Sequence, residues 1–288
     1  MTAPNAVAVI GGGTMGGGIA QAFATVGTDV TVVEEDGSAA EAAYGRISSA
    51  LDRAAQRGKL DGDPRDILRR IRLVTDLAEL PAAAELVVEA VPEVPKLKIR
   101  VLAAAERAAS AGAVLASNTS SLSITELGAA LDDPARLLGL HFFNPVPASK
   151  LVEIVTTAAT ADSTRGKAAR WVEALGKTAV VVRDSPGFAT SRLGVLLGLE
   201  AIRMLEEGVA DAAAIDTAME LGYRHQMGPL RSTDLVGLDV RLAIAEYLHG
   251  ALGERFAPPR LLRDKVERGE LGRKSGQGFY RWEPPASS

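Results

Sequence analysis

The chain has 288 residues, 47% of them apolar and 24% charged, with three histidines, no cysteine and a formal net charge of −4. That length predicts about two domains with ample surface to bury, and the absence of a long basic run argues against nucleic acid as a partner. The lack of cysteine excludes disulfides and thiolate chemistry and suits the cytoplasm; no apolar run of about 18 residues is present to span a membrane, and the N-terminus has no basic leader of the kind that marks a signal peptide. No metal site is expected.

The first 184 residues alternate short β-branched runs with helical stretches. Strands are predicted at Ala6–Ile10, Asp29–Glu34, Ile71–Thr75, Glu85–Ala90, Ala113–Ser117, Leu137–His141, Leu151–Thr157 and Thr178–Arg183. Helices are predicted at Thr14–Val26, Ser38–Arg57 and Glu93–Ser110, among others. In the first of these, Ile19, Phe23 and Val26 share one face and Gly27 supplies a stop. Such alternation, with nearly continuous apolar strands, predicts a parallel sheet covered on both faces.

At Asp184-Ser-Pro-Gly the pattern changes, and helical periodicity takes over at Thr190–Glu207, Ala212–Leu221, Ser232–Leu252 and Pro259–Arg268. The expected organisation is an α/β domain over 1–184 and an all-α domain over 185–288. Gly194 and Gly198, four apart, mark either close helix packing inside that domain or a subunit contact. Only the tail, EPPASS, reads as unstructured.

Between the first strand and the first helix stands Gly11-Gly-Gly-Thr-Met-Gly16, the G-x-G-x-x-G pattern. Gly11 permits the tight turn, Gly13 lets the backbone approach a diphosphate, and Gly16 lets helix pack on strand; the helix N-terminus then offers free N–H groups. Glycine turns also occur without a ligand, and methyltransferases use a related loop. Here the context is right, and Glu34 ends the second strand twenty-one positions after Gly13. A carboxylate there accepts hydrogen bonds from ribose hydroxyls and repels a 2′-phosphate. With no arginine expected nearby, NAD is preferred over NADP.

A second cluster lies in 117–153, SNTSSLSITEL and then LLGLHFFNPVPASKLVEIV. His141 ends an apolar run, flanked in sequence by the Ser120 hydroxyl and the Glu153 carboxylate. A carboxylate that fixes the tautomer of a neutral imidazole makes a general base that works near neutral pH. Bland readings stand beside each. His141 can be a hydrogen-bonded core residue, Ser120 belongs to a run of hydroxyls that cap helices, with Ser121 or Ser123 as other candidates, and Glu153 can face solvent in an alternating strand.

The chain resembles the short 3-hydroxyacyl-CoA dehydrogenases, including bacterial 3-hydroxybutyryl-CoA dehydrogenases. The motifs GGGTMGGGIAQAFA, VVEAVPE, SNTSSLSITEL, HFFNPVPASKLVEIV, DSPGF, AMELGY with MGPL and DLVGLD, and GRKSGQGFY carry the likeness from residue 7 to 282 in family order. The resemblance implies a Rossmann-type NAD-binding domain and a helical domain that forms a homodimer, with acyl-CoA in the cleft between domains. It implies reversible oxidation of an L-3-hydroxyacyl-CoA to the 3-ketoacyl-CoA. By motif, His141 is the catalytic acid/base, Glu153 its orienting partner, and Ser120 a hydrogen-bond donor to the substrate oxygen that also lies near the nicotinamide. Gly11, Gly13, Thr14, Met15, Gly16, Glu34, Glu93, Lys98, Asn144 and Lys274 match the family's NAD contacts, although Lys98 and Lys274 also read as surface lysines.

One position departs from the family. Asparagine usually follows the Pro-Gly-Phe turn, where its amide polarises the substrate carbonyl; here Ser191 stands there. A serine hydroxyl also donates, with a shorter reach. Arg53, Arg57 and Lys59 follow the second helix and are candidates for CoA phosphates, against the alternative of a solvated helix face. The same chemistry on a carrier-protein-bound or free hydroxy acid, and a non-catalytic NAD-binding relative, are the competing functions.

Overall fold

The computed structural model describes residues 2–283, so all of the expected tail but Glu283 lies outside the described residues. The chain divides into two compact units between Ser185 and Pro186.

The first unit is an eight-stranded sheet in the order β3-β2-β1-β4-β5-β6-β7-β8. Its strands are β1 (Ala6–Ile10), β2 (Asp29–Val33), β3 (Ile71–Val74), β4 (Leu86–Glu89), β5 (Val114–Ser117), β6 (Leu137–Phe142), β7 (Leu151–Thr156) and β8 (Thr178–Arg183). Helices α1 (Thr14–Thr25), α2 (Gly37–Gln56), α3 (Pro64–Leu68), α4 (Pro95–Ala108), α5 (Ile124–Gly128) and α6 (Asp162–Ala174) connect them. Strands β1 and β4 are buried end to end, as central strands must be when both faces are covered. Ile19 and Phe23 of α1 and Ile47 and Leu51 of α2 pack into the same core as Val7, Val9 and Val32.

Two features differ from the expected parallel, fully covered sheet. Strand β7 runs antiparallel to β6, while β8 runs parallel to β7. Only residues 143–150 separate β6 from β7, too few for the crossover of about a dozen residues that parallel strands require. At the other end, edge strand β8 leaves Val180 and Val181 exposed. Helices α3, α5 and α6 were not marked out by the sequence pattern: the first two are about one turn long, and α6 buries only Thr164, Ala168, Trp171 and Val172.

The second unit comprises α7 (Thr190–Glu206), α8 (Ala212–Gly222), α9 (Pro229–Val236), α10 (Leu238–Leu252) and α11 (Arg260–Glu267) around Val195, Leu199, Ile202, Leu238, Leu248 and Phe256. The single helix expected over Ser232–Leu252 is two helices. Gly237, at φ 103°, breaks it in a conformation that L side chains rarely adopt. Asp234 then clasps the end of the unit, accepting hydrogen bonds from the Phe279 and Tyr280 amides and from the Trp282 indole. Among the described residues, no helix is long and apolar enough to cross a membrane.

Candidate active site

Strands β1, β4, β5 and β6 run parallel, so the segments that follow them leave the sheet on one edge. These are the glycine loop, Ala90–Glu93, Asn118–Ser120 and Phe143–Pro145. In a parallel α/β sheet this carboxyl edge is where ligands bind.

The glycine loop leaves β1 at Gly11, whose φ of +92° only glycine adopts without strain, and whose added Cβ would approach the Ala90 carbonyl oxygen to 3.0 Å. A Cβ on Gly16 would come within 1.7 Å of the Gly11 oxygen, so α1 packs this closely on its own entry turn only with glycine there. At Gly13 a Cβ would meet nothing within 4 Å, and no side chain caps the helix N-terminus it precedes. An open backbone approach and uncapped amides at Thr14 and Met15 fit the diphosphate of a dinucleotide.

Glu34 lies just past β2 and accepts the Gly12 N–H at 2.7 Å. An arginine does stand nearby, contrary to the sequence expectation: Arg46 Nη2 on α2 is 4.0 Å from Glu34 Oε1 and 3.1 Å from the Gly12 carbonyl oxygen. It escaped notice because it is twelve positions on in sequence and reaches the loop only through the orientation of α2.

At the ends of β4 and β5 lies a polar network. Lys98 is buried, with its Nζ 2.7 Å from Glu89 Oε1, 3.0 Å from the Val91 oxygen and 3.2 Å from Glu93 Oε2. It is not a surface lysine; three oxygens surround its ammonium. Glu93 Oε1 in turn accepts from the Ser120 amide at 3.1 Å and from the Thr119 hydroxyl. Glu89 was missed from the sequence, although a carboxylate closing the apolar run Leu86–Glu89 is a signal that it must be paired. The capping hydroxyl of α5 is Ser123, whose Oγ accepts the Glu126 N–H, rather than Ser120 or Ser121.

His141 and Glu153 face one another across the β6–β7 pairing. His141 Nδ1 is 2.8 Å from Glu153 Oε2, the glutamate is wholly buried and the histidine is 6% exposed. Glu153 therefore does not face solvent. The Phe143 ring packs against the imidazole at 4.3 Å between centroids. Asn118 Oδ1 accepts the Phe142 amide at 3.0 Å, pinning the end of β6 to the segment after β5. A carboxylate at this distance can fix the imidazole tautomer that carries its proton on Nδ1.

A cavity of about 810 Å³ opens beside α1 and α2 and runs from Gly13 to the Asn144–Ala148 segment. Arg46, Arg53, Arg57, Lys59 and Lys177 line it, and among the described residues no carboxylate does. Arg53, Arg57 and Lys59 all border this cavity, and all three are exposed. Lys177, which the sequence did not flag, is held by the Val146 and Ser149 carbonyl oxygens at 2.7 and 2.5 Å, and burial lowers its pKa. Ser191 and Lys274 belong to the second unit, Ser191 in the first turn of α7 and Lys274 with its Nζ 2.5 Å from Asp239 Oδ2.

Two family models match the chain: the 3-hydroxyacyl-CoA dehydrogenase NAD binding domain over residues 6–185 and the C-terminal domain of the same family over 187–282. The 3-hydroxybutyryl-CoA dehydrogenase of Mycobacterium tuberculosis is 43% identical over 278 residues, 95% of this chain and 97% of that protein. Mitochondrial hydroxyacyl-coenzyme A dehydrogenase of Rattus norvegicus is 38% identical over 96% of this chain and 90% of its own. The crystal structure of (S)-3-hydroxybutyryl-CoA dehydrogenase from Ralstonia eutropha superposes with a TM-score of 0.92 at 38% identity, covering 98% of this chain and 100% of that one.

Proposed function

The chain belongs to the 3-hydroxyacyl-CoA dehydrogenase family, and from that premise we propose that it oxidises an L-3-hydroxyacyl-CoA with His141 as general base. It is an NAD-dependent oxidoreductase acting on the CH–OH group of 3-hydroxyacyl-CoA, in a reversible reaction. NAD⁺, when bound, supplies the hydride acceptor. The protein's part is to take the hydroxyl proton and to hold the reacting oxygen.

The observation that carries the assignment is the 2.8 Å contact of His141 Nδ1 with the buried Glu153 carboxylate. Donation of Nδ1–H to Glu153 leaves the Nε2 lone pair for the alcohol proton, and the carboxylate stabilises the imidazolium that results. Positioned proton transfer of this kind contributes about 100- to 10,000-fold. Ser120 donates a hydrogen bond to the substrate oxygen, and Ser191 serves where the family resemblance leads one to expect asparagine. Gly11, Gly13, Thr14, Met15 and Gly16 hold the NAD diphosphate, Glu34 the adenosine ribose, and Glu93, Asn144 and Lys274 further parts of the cofactor, with Lys98 acting through Glu93.

Arg53, Arg57 and Lys59 receive CoA phosphates. Three exposed cations together, Arg53, Arg57 and Lys59, favour a polyanionic handle over a free hydroxy acid. The same reading has the protein a cytoplasmic homodimer. A cysteine-free chain suits a reducing compartment, and the homodimer follows from the family resemblance.

The test is a kcat/KM series across 3-ketoacyl-CoA chain lengths with NADH, run beside NADPH and a 3-ketoacyl carrier protein. Turnover of CoA thioesters with NADH is expected. The absence of turnover with every CoA thioester overturns the reading.

A further inference from the structure

Gly12 is clamped from two sides by opposite charges. Its N–H donates to Glu34 Oε1 at 2.7 Å, and its carbonyl oxygen accepts from Arg46 Nη2 at 3.1 Å. The two side chains stand 4.0 Å apart, Arg46 46% exposed and Glu34 12%. Neither is saturated by protein. Among the described residues, Glu34 Oε2 accepts no hydrogen bond and Arg46 Nη1 donates none.

A ribose held by the Glu34 carboxylate would bring its 2′ position next to both groups. A phosphate there is repelled by Glu34 and attracted by Arg46, and a guanidinium beside the ribose is the device by which Rossmann-type sites accept NADP. The carboxylate is closer to the loop and less exposed than the guanidinium, so repulsion dominates in the protein as it stands. We propose that Arg46 is a latent 2′-phosphate receptor silenced by Glu34, so that a single carboxylate sets the preference for NAD and the basic partner of an NADP site is already in place. This rests on the assignment of Glu34 to the adenosine ribose.

Dissociation constants for NADH and NADPH, read from nucleotide fluorescence without turnover, test it. The variants are Glu34→Gln, Glu34→Ser, Arg46→Met and the double Glu34→Gln/Arg46→Met, each with its unfolding midpoint. Glutamine keeps an oxygen for the Gly12 N–H, so the loop retains its anchor, and serine provides a second background. Both Glu34 variants are expected to shift the NADPH-to-NADH affinity ratio toward NADPH by about ten- to a hundredfold, the span of one hydrogen bond to a charged group. Arg46→Met should reverse most of that gain in the double variant and move the ratio far less when Glu34 is present. An unchanged ratio in both folded Glu34 variants, or a gain that survives loss of Arg46, overturns the proposal. Wild-type protein that binds neither nucleotide overturns the ribose assignment and the proposal with it. Wild-type protein that binds NADH yet reduces no 3-ketoacyl-CoA refutes the dehydrogenase reading alone; the binding ratios still decide the role of Arg46.

Discussion

Lys98 and Glu89 form an ion pair of 2.7 Å in which the lysine side chain is 1% exposed and the glutamate not at all. The carboxylate also accepts the Ser117 hydroxyl at 2.6 Å and the Val91 amide at 2.8 Å, so one residue joins the ends of β4 and β5 to α4. Removing one member of a buried pair strands the other charge, at a cost of about 3–5 kcal/mol. Glu89→Leu should fall at the lower end of that range, because Glu93 Oε2 remains 3.2 Å from the ammonium. The double variant Glu89→Leu/Lys98→Met should recover most of the loss. Denaturant midpoints decide, and a single variant as stable as wild type would refute the account.

His141 and Glu153 are twelve residues apart but directly opposed across two antiparallel strands, so the strand pairing itself sets each opposite the other. His141→Gln removes the proton acceptor and should lower kcat by about 100- to 10,000-fold with KM much less affected. Glu153→Gln can turn its amide NH₂ toward Nδ1 and force the proton onto Nε2, the wrong tautomer for a base, so its loss should fall in the same range. Steady-state kinetics with NAD⁺ and 3-hydroxybutyryl-CoA measure both. A Glu153→Gln enzyme with wild-type kcat would remove the tautomer from the mechanism.

Ser191 occupies the first turn of α7, at the position where the family resemblance leads one to expect asparagine. Losing an oxyanion-type donor can raise a barrier by about 2.7–4 kcal/mol, and restoring the longer amide should do the reverse if serine merely under-reaches. Ser191→Asn is therefore expected to keep or raise kcat. A collapse of kcat would show that the surrounding geometry is built around serine.

How much of this was readable in the residues depends on what each feature requires. Strands Ala6–Ile10 and Thr178–Arg183 coincide with their predicted limits, because β-branched runs between turn residues mark strands by composition alone. The direction of β7 was not readable, since apolar period carries no sense of direction; only the short 143–150 connection excludes a parallel crossover. The break at Gly237 hid inside a continuous helical period. His141 and Glu153 were readable because each interrupts an apolar run, where an unpaired polar group is costly. Arg46 and Lys177 were not. One depends on the rotation of α2 toward the glycine loop, and the other on carbonyl oxygens that the fold brings to it.

Arg57 shares the wall of the 810 Å³ cavity with Arg53 and Lys59, on the far end of α2 from Glu34. Reversing its charge should act on a polyanionic thioester and not on the dinucleotide. Arg57→Glu is expected to raise KM for acyl-CoA about tenfold or more, the equivalent of about 1.4 kcal/mol, while the dissociation constant for NADH stays within error. A matching loss in NADH affinity would mean that the cavity belongs to the cofactor.

Glu270 in the second unit takes hydrogen bonds from Arg268 Nε and Lys265 Nζ, both at 2.7 Å. The Arg268 bond, then the Lys265 bond, lower its pKa from 4.5 to about 2. A carboxylate depressed on folding contributes stability that is complete above its unfolded pKa and disappears as pH falls through the folded value. The contribution should thus be constant above about pH 5, shrink between there and pH 2, and vanish below. Glu270→Gln removes it, so the Tm difference between wild type and variant should be largest at neutral pH and close progressively across that acid window. Because the group is near the surface, added salt should shrink the difference as well. A difference that stays constant from pH 7 to pH 2 would mean that the glutamate stabilises through packing and not through its charge.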